Sequence, residues 1–459
     1  MGTFKRSPRT PLPGATMAVI ALIAAACGGS ATGSPAVSAA GSASASVSAP
    51  SGSPSGSADT GYSGPPASLE YSIWGDPAEI KNQQAVVEAF TAANPTIKVN
   101  VTVSDWEPYW DKLQTGLAGG AAPDVFAMDG PLGPDYQTRD VLLDLTPYIQ
   151  GESYDLGQLD ANAVKDFTTA DGAQFGLPRD LNVIALYYNK TMFDAASIAY
   201  PDGTWDWAKL IEVGKKLTLD TNSDGKPDQW GLYTETSDME NYWSSLVWQN
   251  GGDVLAPDGK TTVLGSDQAV GGLQFLQDLI WKEKVMPDAA SWPTDSGDAF
   301  EQGKAAMEAN GSWLVATHQA AGIDLGIAPL PKGPAGQATS INPTGAVVYA
   351  KTKNPDAAWA FVKYLAGPAA QTKLMELRAS LPANKEVLAG PYSASFAGAE
   401  VLADAIAYAH IKPSFKGYDE FATTLQTELD ANVFEARKET VREAIDKVLP
   451  ALNEILAGQ

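Results

Sequence analysis

The chain has 459 residues, which is too many for one hydrophobic core and favours two or more lobes. Hydrophobic residues make up 44% and charged residues 19%, as in a soluble globular protein, and the formal net charge is −23. Because this charge repels other polyanions, nucleic acid, anionic lipid and polyphosphate are disfavoured as partners, whereas neutral ligands are not.

The rare residue types exclude several chemistries. Cys27 is the single cysteine, and His318 and His410 are the only histidines. An intramolecular disulfide and a histidine-rich metal site are therefore excluded, and few arrangements remain for a histidine-dependent triad. The sequence contains no P-loop, no dinucleotide-binding glycine motif, no zinc-protease motif and no nucleophile-elbow motif. Any ATP hydrolysis coupled to this protein belongs to a separate subunit.

The N-terminal segment predicts export. Residues 1–14 contain three basic side chains and no acid, and residues 15–26 (ATMAVIALIAAA) are an apolar run that ends in small side chains. Such a run is too short to span a bilayer and is typical of a signal peptide, here 1–26. The alternative is a buried N-terminal helix. Residues 28–67 are mostly Ser, Ala, Gly and Pro, which cannot bury enough surface to offset their ordering entropy.

A lone cysteine between a signal-like run and a flexible stretch resembles the bacterial lipobox. The resemblance implies cleavage before Cys27 and attachment of diacylglycerol to its sulfur. Ala24 departs from the usual pattern, which prefers leucine three residues before the cysteine. The segment 27–67 is therefore predicted to be a lipidated, disordered tether, held stably at the membrane if two or more acyl chains are attached.

The next segments alternate between strand and helix patterns. Period-two and buried-run patterns predict strands, and near-helical spacing of apolar residues predicts helices. In chain order these are a strand at 69–74, a helix at 78–93, a strand at 97–103, a helix at about 109–118 and a buried strand at 125–128. This βαβαβ order predicts an α/β lobe with a largely parallel sheet.

A helix-rich region follows, and strand patterns then return. Predicted helices lie at 205–217, 242–250, 268–282 and 311–321, predicted strands at 323–330 and 345–350, and further helices at 355–365, 369–377, 401–409, 418–432 and 441–456. No internal repeat of fixed period is present.

Several segments together resemble the family 1 extracellular solute-binding proteins, which feed ABC importers for oligosaccharides. They are PDVFAMDG (123–130), GLPRDLNVIALYYNKTMFD (176–194), TWDWAKLIEVGKKLT (204–218), GKAAMEANGSW (303–313), INPTGAVVYAKTKNPDAAWAFVKYLAG (341–367) and LPANKEV (381–387). The likeness follows the order of nearly the whole mature chain, so it is more specific than any single motif.

The resemblance implies an α/β, two-lobed, periplasmic-binding-protein-like fold of type II character, with discontinuous lobes joined by three hinge crossings. The crossings are expected near 176–179, 331–336 and 378–381. Lobe I would comprise 68–177 plus 333–377, and lobe II 178–332 plus 378–459.

The function implied is capture of a carbohydrate, expected to be an oligosaccharide, and its delivery to the permease subunits of an ABC transporter. The protein would be a monomer without catalysis or a required cofactor, bound to the membrane only through its lipid. An exported glycoside hydrolase is the alternative, and it needs two carboxylates roughly 5–10 Å apart. The 54 acidic residues single out no such pair. An adhesive lipoprotein is a third hypothesis, disfavoured by the hinge-like segments and tryptophan-rich loops.

Sugar recognition needs flat aromatic faces and planar polar groups, placed on loops at the ends of strands. Trp74 ends the first predicted strand and Asp76 follows it, Trp106 follows the second strand, and Asp129 directly follows the third. We expect all four to bind ligand. For Trp74 and Asp76 the alternative is a core tryptophan and a helix cap.

The segment after the first expected crossing supplies Arg179, Asp180 and Asn182, which the resemblance implies contact the ligand. For Arg179 the alternative is a structural ion pair across the hinge. Trp243 and Trp248 are five residues apart on one helix and cannot share a face. We therefore expect Trp243 at the cleft and Trp248 in the core.

Two further candidates lie later in the chain. Trp313 follows an Asn-Gly-Ser sequence at an expected helix start, and its position in the resembling family implies ligand contact. Arg378 lies beside the third expected crossing.

One loop matches the start of an EF-hand-like calcium site. Asp220, Asn222, Asp224 and Asp228 occupy positions 1, 3, 5 and 9, and Lys226 can offer its carbonyl at position 7. Position 12 is glycine, so the usual glutamate is missing. The sequence therefore predicts either a structural calcium site or a metal-free Asp/Asn/Gly turn.

Overall fold

The computed structural model describes residues 62–75, 77–234, 239–288, 291 and 299–458. The predicted signal peptide, Cys27, most of the predicted tether and Asp76 lie outside the described residues.

The strands are β1 (Ala67–Trp74), β2 (Ile97–Ser104), β3 (Val125–Asp129), β4 (Gly176–Asn189), β5 (Met307–Gly311), β6 (Leu325–Ala328), β7 (Thr339–Val348) and β8 (Ala409–Ile411). The α-helices are α1 (Pro77–Ala93), α2 (Trp106–Gly119), α3 (Gly133–Gln137), α4 (Thr146–Glu152), α5 (Ala161–Asp166), α6 (Lys190–Ala196), α7 (Trp207–Leu217), α8 (Met239–Gln249), α9 (Asp267–Trp281), α10 (Val315–Ala320), α11 (Pro355–Ala366), α12 (Pro368–Glu376), α13 (Lys385–Ala389), α14 (Ala399–Ala405), α15 (Tyr418–Glu428) and α16 (Val441–Ala457). No helix in this part of the chain is long and apolar enough to cross a bilayer.

All of these strands join in one sheet. Its order is β2-β1-β3-β7-β4-β5, with β6 on β4 and β8 on β7. The pairs β1–β2 and β1–β3 are parallel, in agreement with the predicted βαβαβ order, whereas β3–β7 and β4–β7 are antiparallel. Strand β1 buries Leu69, Tyr71 and Ile73 and leaves the residues between them more exposed, which is the period-two pattern that identified it.

The apolar core separates into two lobes. In lobe I, Leu69, Phe90 and Phe361 pack over one face of the parallel strands, and a second cluster around Tyr109 packs on the other. In lobe II, one large cluster includes residues from α7, α8, α9, α15 and α16, and a second surrounds Tyr187. The sheet is continuous between the lobes, so the division is one of packing rather than of strand pairing.

The chain passes between these cores three times. Leu177 packs in lobe I and Leu181 in lobe II, and the passage lies within β4. A second passage lies within β7, between Ile341 and Ala346, and a third separates Leu374 from Leu381.

The three crossing segments lie side by side. Strand β4 pairs with β7 through the crossing, and the backbones of Leu181 and Leu381 exchange hydrogen bonds of 2.8 and 3.1 Å. Residues near 331–336 pack instead with lobe II, where the amide of Lys332 donates to the carbonyl of Trp205. We therefore propose that lobe I resumes within β7 rather than at residue 333. The other predicted lobe limits stay predictions.

Candidate functional site

Five polar side chains share one face of the sheet where β3, β7 and β4 meet. Asp129 pairs with Thr344, Thr344 pairs with Asp180, and Asn342 pairs with Asn182. Cross-strand partners share a face, as do strand residues two apart, so the register brings these side chains into one group. Asp129 is half-buried and the other four are buried. We call this group the polar row; it lies at the crossings between the lobes.

Hydrogen bonds tie the polar row to lobe II. The side-chain amide of Asn182 donates to Oδ1 of Asp180 at 3.4 Å. The hydroxyl of Ser312 donates to Oδ1 of Asn182 at 3.0 Å. On the adjacent strand, the hydroxyl of Ser340 donates to Oδ1 of Asn342 at 3.2 Å. Asp180, Asn182 and Asn342 therefore each have a polar partner, which is how polar side chains are accommodated inside a sheet.

Arg179 forms ion pairs of the kind that its structural alternative predicts, and ligand contact by Arg179 stays a prediction. It lies at a register shift in β4 and is 3% exposed. Its Nε lies 2.9 Å from Oδ2 of Asp180, its Nη1 donates to the hydroxyl of Tyr71 at 3.3 Å, and its Nη2 lies 3.8 Å from Glu79. Burial raises the pKa of Asp180, and the Arg179 guanidinium opposes that rise. The arginine thus stabilises a carboxylate of the polar row from the lobe I side.

A second charged group adjoins Asp129. Desolvation raises the pKa of Asp129, while the ammonium of Lys412 acts to lower it. Burial and the neighbouring Asp129 raise the pKa of Asp166 to about 7, although the ammonium of Lys412 acts to lower it. Oδ2 of Asp166 makes no hydrogen bond within the described residues and lies against Gly130, where an added Cβ would be 2.3 Å away.

Sequence reasoning missed Asp166 and Lys412. Asp166 ends α5, and Lys412 directly follows the short strand β8 and is 7% exposed. A lysine placed between the apolar residues of AHI and Pro413 is the one signal that could have suggested a buried charge. Neither residue has a motif that would have located it beside Asp129.

The predicted tryptophans of lobe I form a cluster at the end of β1. The ring of Trp74 lies 4.9 Å from that of Trp106, 5.3 Å from Tyr109 and 5.6 Å from Trp110. Tyr109 and Trp110 belong to α2 and are buried. Trp106 is 42% exposed and Trp74 is half-buried, so these two retain faces that a ligand can cover.

The two tryptophans of α8 are both buried. Trp248 stacks on His410 at 4.8 Å with an interplanar angle of 13°, in agreement with a core position. Trp243 is 4% exposed and lines a small cavity together with Lys412 and Tyr418. Ligand contact by Trp243 stays a prediction, and it would require this cavity to widen.

Trp313 lies beside the polar row. It follows Ser312, which bonds Asn182, and its half-buried ring covers Gly311. An added Cβ on Gly311 would lie 2.2 Å from the Trp313 ring. Arg378, in contrast, is exposed and donates to Oε1 of Gln319, so the structure does not bring it into the row.

The predicted calcium loop is closed by its own backbone. Oxygens of Asp220, Asn222 and Asp224 accept loop N–H groups at 2.8–3.1 Å, and Oδ1 of Asp228 accepts the amide of Thr221 at 2.8 Å. The described residues contain no group of three or more His, Cys, Asp or Glu side chains that could hold a metal ion. A calcium ion would need these oxygens to turn from the amides, so calcium binding there stays a prediction.

Comparison with known proteins agrees with this architecture. A maltotriose-binding protein of Pyrococcus abyssi is 28% identical over 330 residues, covering 70% of this chain and 67% of that protein. A maltooligosaccharide ABC transporter solute-binding lipoprotein of Streptococcus pneumoniae is 25% identical over 311 residues, covering 63% and 66%.

Among solved structures, an ABC substrate-binding protein from Listeria monocytogenes in complex with cycloalternan superposes with a TM-score of 0.77 at 27% identity. The match covers 84% of this chain and 98% of that one, which confirms the predicted two-lobed fold. The family described as "Bacterial extracellular solute-binding protein" matches residues 85–403. Because that match spans more than half of the chain and follows the observed fold, the chain belongs to the bacterial extracellular solute-binding proteins.

Proposed function

We propose that this protein captures an oligosaccharide of the maltooligosaccharide class between its lobes and delivers it to the permease of an ABC importer. The polar row is the observation that carries the proposal. Its carboxylate and amide groups can bond sugar hydroxyls, often in pairs, at the site where the chain crosses between the lobes. The names of the P. abyssi and L. monocytogenes proteins, which refer to maltotriose and cycloalternan, support this substrate class.

The tryptophans complete the chemistry. A pyranose ring has an apolar face that packs on an indole ring, and Trp74, Trp106 and Trp313 each keep part of that surface uncovered. Trp74 and Trp106 belong to lobe I, whereas Trp313 packs against the core of lobe II. A sugar that touches both sets of rings would favour the state in which the lobes are close together.

We further infer that the sugar leaves unchanged. Members of this family are substrate-binding proteins. Asp180 is paired with Arg179, whose guanidinium opposes the rise that burial causes in the pKa of this carboxyl group. A carboxylate held in this way is poorly placed to act as a nucleophile or as a proton donor in glycoside hydrolysis.

Export and anchoring are part of the proposal. The family is extracellular, and the S. pneumoniae relative is named a lipoprotein. We propose that signal peptide 1–26 is removed and that lipid on Cys27 holds the protein outside the cell, where the permease is its partner. Mass spectrometry of the protein from a native-like host checks this, since an unmodified Cys27 would contradict the anchor.

Thermal unfolding of the full chain against mono- and oligosaccharides, with and without calcium, tests the binding function. A ligand at a hundred times its Kd adds about 2.7 kcal/mol of stability, enough for a shift of several degrees. We expect a shift with maltotriose and related glucans, with the sugar recovered intact. A cleaved sugar would establish the hydrolase instead, and no shift with any sugar would refute the carbohydrate assignment.

A substitution locates the site. Trp106→Ala is expected to raise the Kd of maltotriose about tenfold with little change in stability, because the side chain is 42% exposed. Tyr200→Ala is the matched control, since Tyr200 is 39% exposed and lies in lobe II outside the predicted site. Equal affinities of the two variants would remove Trp106 from the binding surface.

A further inference from the structure

One contact between the lobes does not involve the strands that cross between them. In lobe I, β3 leads into a 3-10 turn (Gly130–Leu132) and then into α3. In lobe II, residues 412–417 join β8 to α15. The hydroxyl of Ser414 donates to the carbonyl of Gly130 at 3.2 Å, and the amide of Gly417 donates to Oδ1 of Asp135 at 3.0 Å. We call this the interlobe contact.

The two sides of the interlobe contact belong to segments that pack in different hydrophobic cores. Tyr136 of α3 packs in lobe I with Tyr109, whereas Phe415 and Tyr418 pack in lobe II. Leu132 is half-buried and touches apolar clusters of both lobes. Two hydrogen bonds and one apolar side chain therefore join lobe I to lobe II at this position.

Asp135 has a particular role in this contact. Gly417 is the N-cap residue of α15, with φ +86° in the left-handed region that favours glycine, and it has no side chain to cap the helix. The first N–H groups of a helix need an acceptor and carry a partial positive charge. The carboxylate of Asp135, from the opposite lobe, accepts the N–H of Gly417 and lies at this positive end.

We propose that Asp135 is a positioning residue that sets sugar affinity by capping α15 across the lobes, so that the lobes part more easily when it is absent. The ligand readouts rest on the proposed function. Asp135 does not belong to the polar row, and it acts by holding the two lobes together rather than by touching the sugar. Because ligand escapes when the lobes separate, the interlobe contact governs the rate of dissociation more than the rate of capture.

The test compares three variants of the full chain with the wild type. Asp135→Ala removes the acceptor, and Asp135→Asn keeps an acceptor oxygen without the charge. Asp111→Ala removes one charge from an exposed position on α2 of the same lobe and is the matched control. Stopped-flow tryptophan fluorescence with maltotriose gives the association and dissociation rates, and circular dichroism verifies that each variant is folded.

We expect Asp135→Ala to dissociate about tenfold faster with an unchanged association rate, Asp135→Asn to fall between it and the wild type, and Asp111→Ala to match the wild type. Equal dissociation rates for Asp135→Ala and Asp111→Ala would overturn the proposal. So would a change confined to the association rate.

A failure of the proposed function gives a different pattern. If the wild type binds no sugar, small-angle scattering of the unliganded chains decides the matter. A larger radius of gyration for Asp135→Ala than for Asp111→Ala supports the interlobe contact, and equal radii refute it.

Discussion

At the scale of single residues, Asp166 makes the stability of the folded state depend on pH. Its carboxyl group is buried beside Asp129, and its pKa of about 7 lies above the ordinary value of 3.8. The folded chain therefore binds this proton more tightly than the unfolded chain. The contribution of Asp166 to stability is most favourable below pH 4, falls as the pH rises, and reaches its full unfavourable value above pH 7.

Asp166→Asn is accordingly expected to raise the free energy of unfolding at pH 8, by up to about 4 kcal/mol, and to change it by less than about 1 kcal/mol at pH 4. Urea unfolding of the full chain at pH 4, 6 and 8 measures this difference. Asp111→Asn, at an exposed position, should show no such trend. A variant less stable than the wild type at pH 8 would mean that attraction to Lys412 outweighs burial.

At Gly311, the absence of a Cβ atom leaves the space that the ring of Trp313 occupies. The backbone torsions of Gly311 suit any residue, with φ −77° and ψ 154°, but a Cβ would lie 2.2 Å from the ring of Trp313. Glycine is therefore required here for space rather than for torsional freedom. The predicted ligand contact of Trp313 depends on that space.

Gly311→Ala should destabilise the protein by about 1–3 kcal/mol through overpacking and should weaken maltotriose binding. The effect on binding should vanish when Trp313 is already alanine, since displacement of the ring is its cause. Gly203→Ala is the control, because its Cβ meets no atom within 4 Å. An additive loss of affinity in the double variant would show that Gly311 acts by another route.

At the scale of elements, the sequence predicted those segments whose burial follows a simple period. The helix pattern beginning at residue 78 and the strand pattern at residues 97–103 agree with α1 and β2. Strand β4 did not follow this rule: all but its last residue are buried, so its two faces do not alternate. Pro178 and the charged pair Arg179 and Asp180 further disguise it, and only the resemblance marked this segment as a crossing.

Other differences have similar causes. The predicted helix over 311–321 begins with the last residue of β5 and a 3-10 turn, and regular helix starts at Val315. Strand β8 has three residues and follows a helix too closely for a separate pattern. Asp129, Asp180 and Asn182 were predicted one by one, but the register that joins them with Thr344 and Asn342 arises from β7, far along the chain.

At the scale of the whole molecule, the net charge of −23 bears on ligand type. A neutral sugar gains nothing from this field, so its affinity should depend little on screening. We expect the Kd of maltotriose to change by less than about threefold between 50 and 500 mM salt, measured by calorimetry. A polycationic probe such as spermine serves as the contrast, since its binding should weaken steeply with salt. A Kd of maltotriose that depends strongly on salt would mean that the exposure of charged side chains changes when the sugar binds.

The order in which the lobe II core is assembled has a consequence for biogenesis. Helix α16 contributes Ile445, Leu452 and Leu456 to the same cluster as Leu210 and Leu276, which stand more than a hundred residues earlier. Contacts so distant in sequence form slowly, because a long loop must be closed before they are gained. Lobe II therefore cannot complete its core until nearly all of the described chain has been synthesised. A polypeptide that stays incompletely folded for that long can still be translocated through a secretion channel. This property suits a protein whose proposed site of action lies outside the cell.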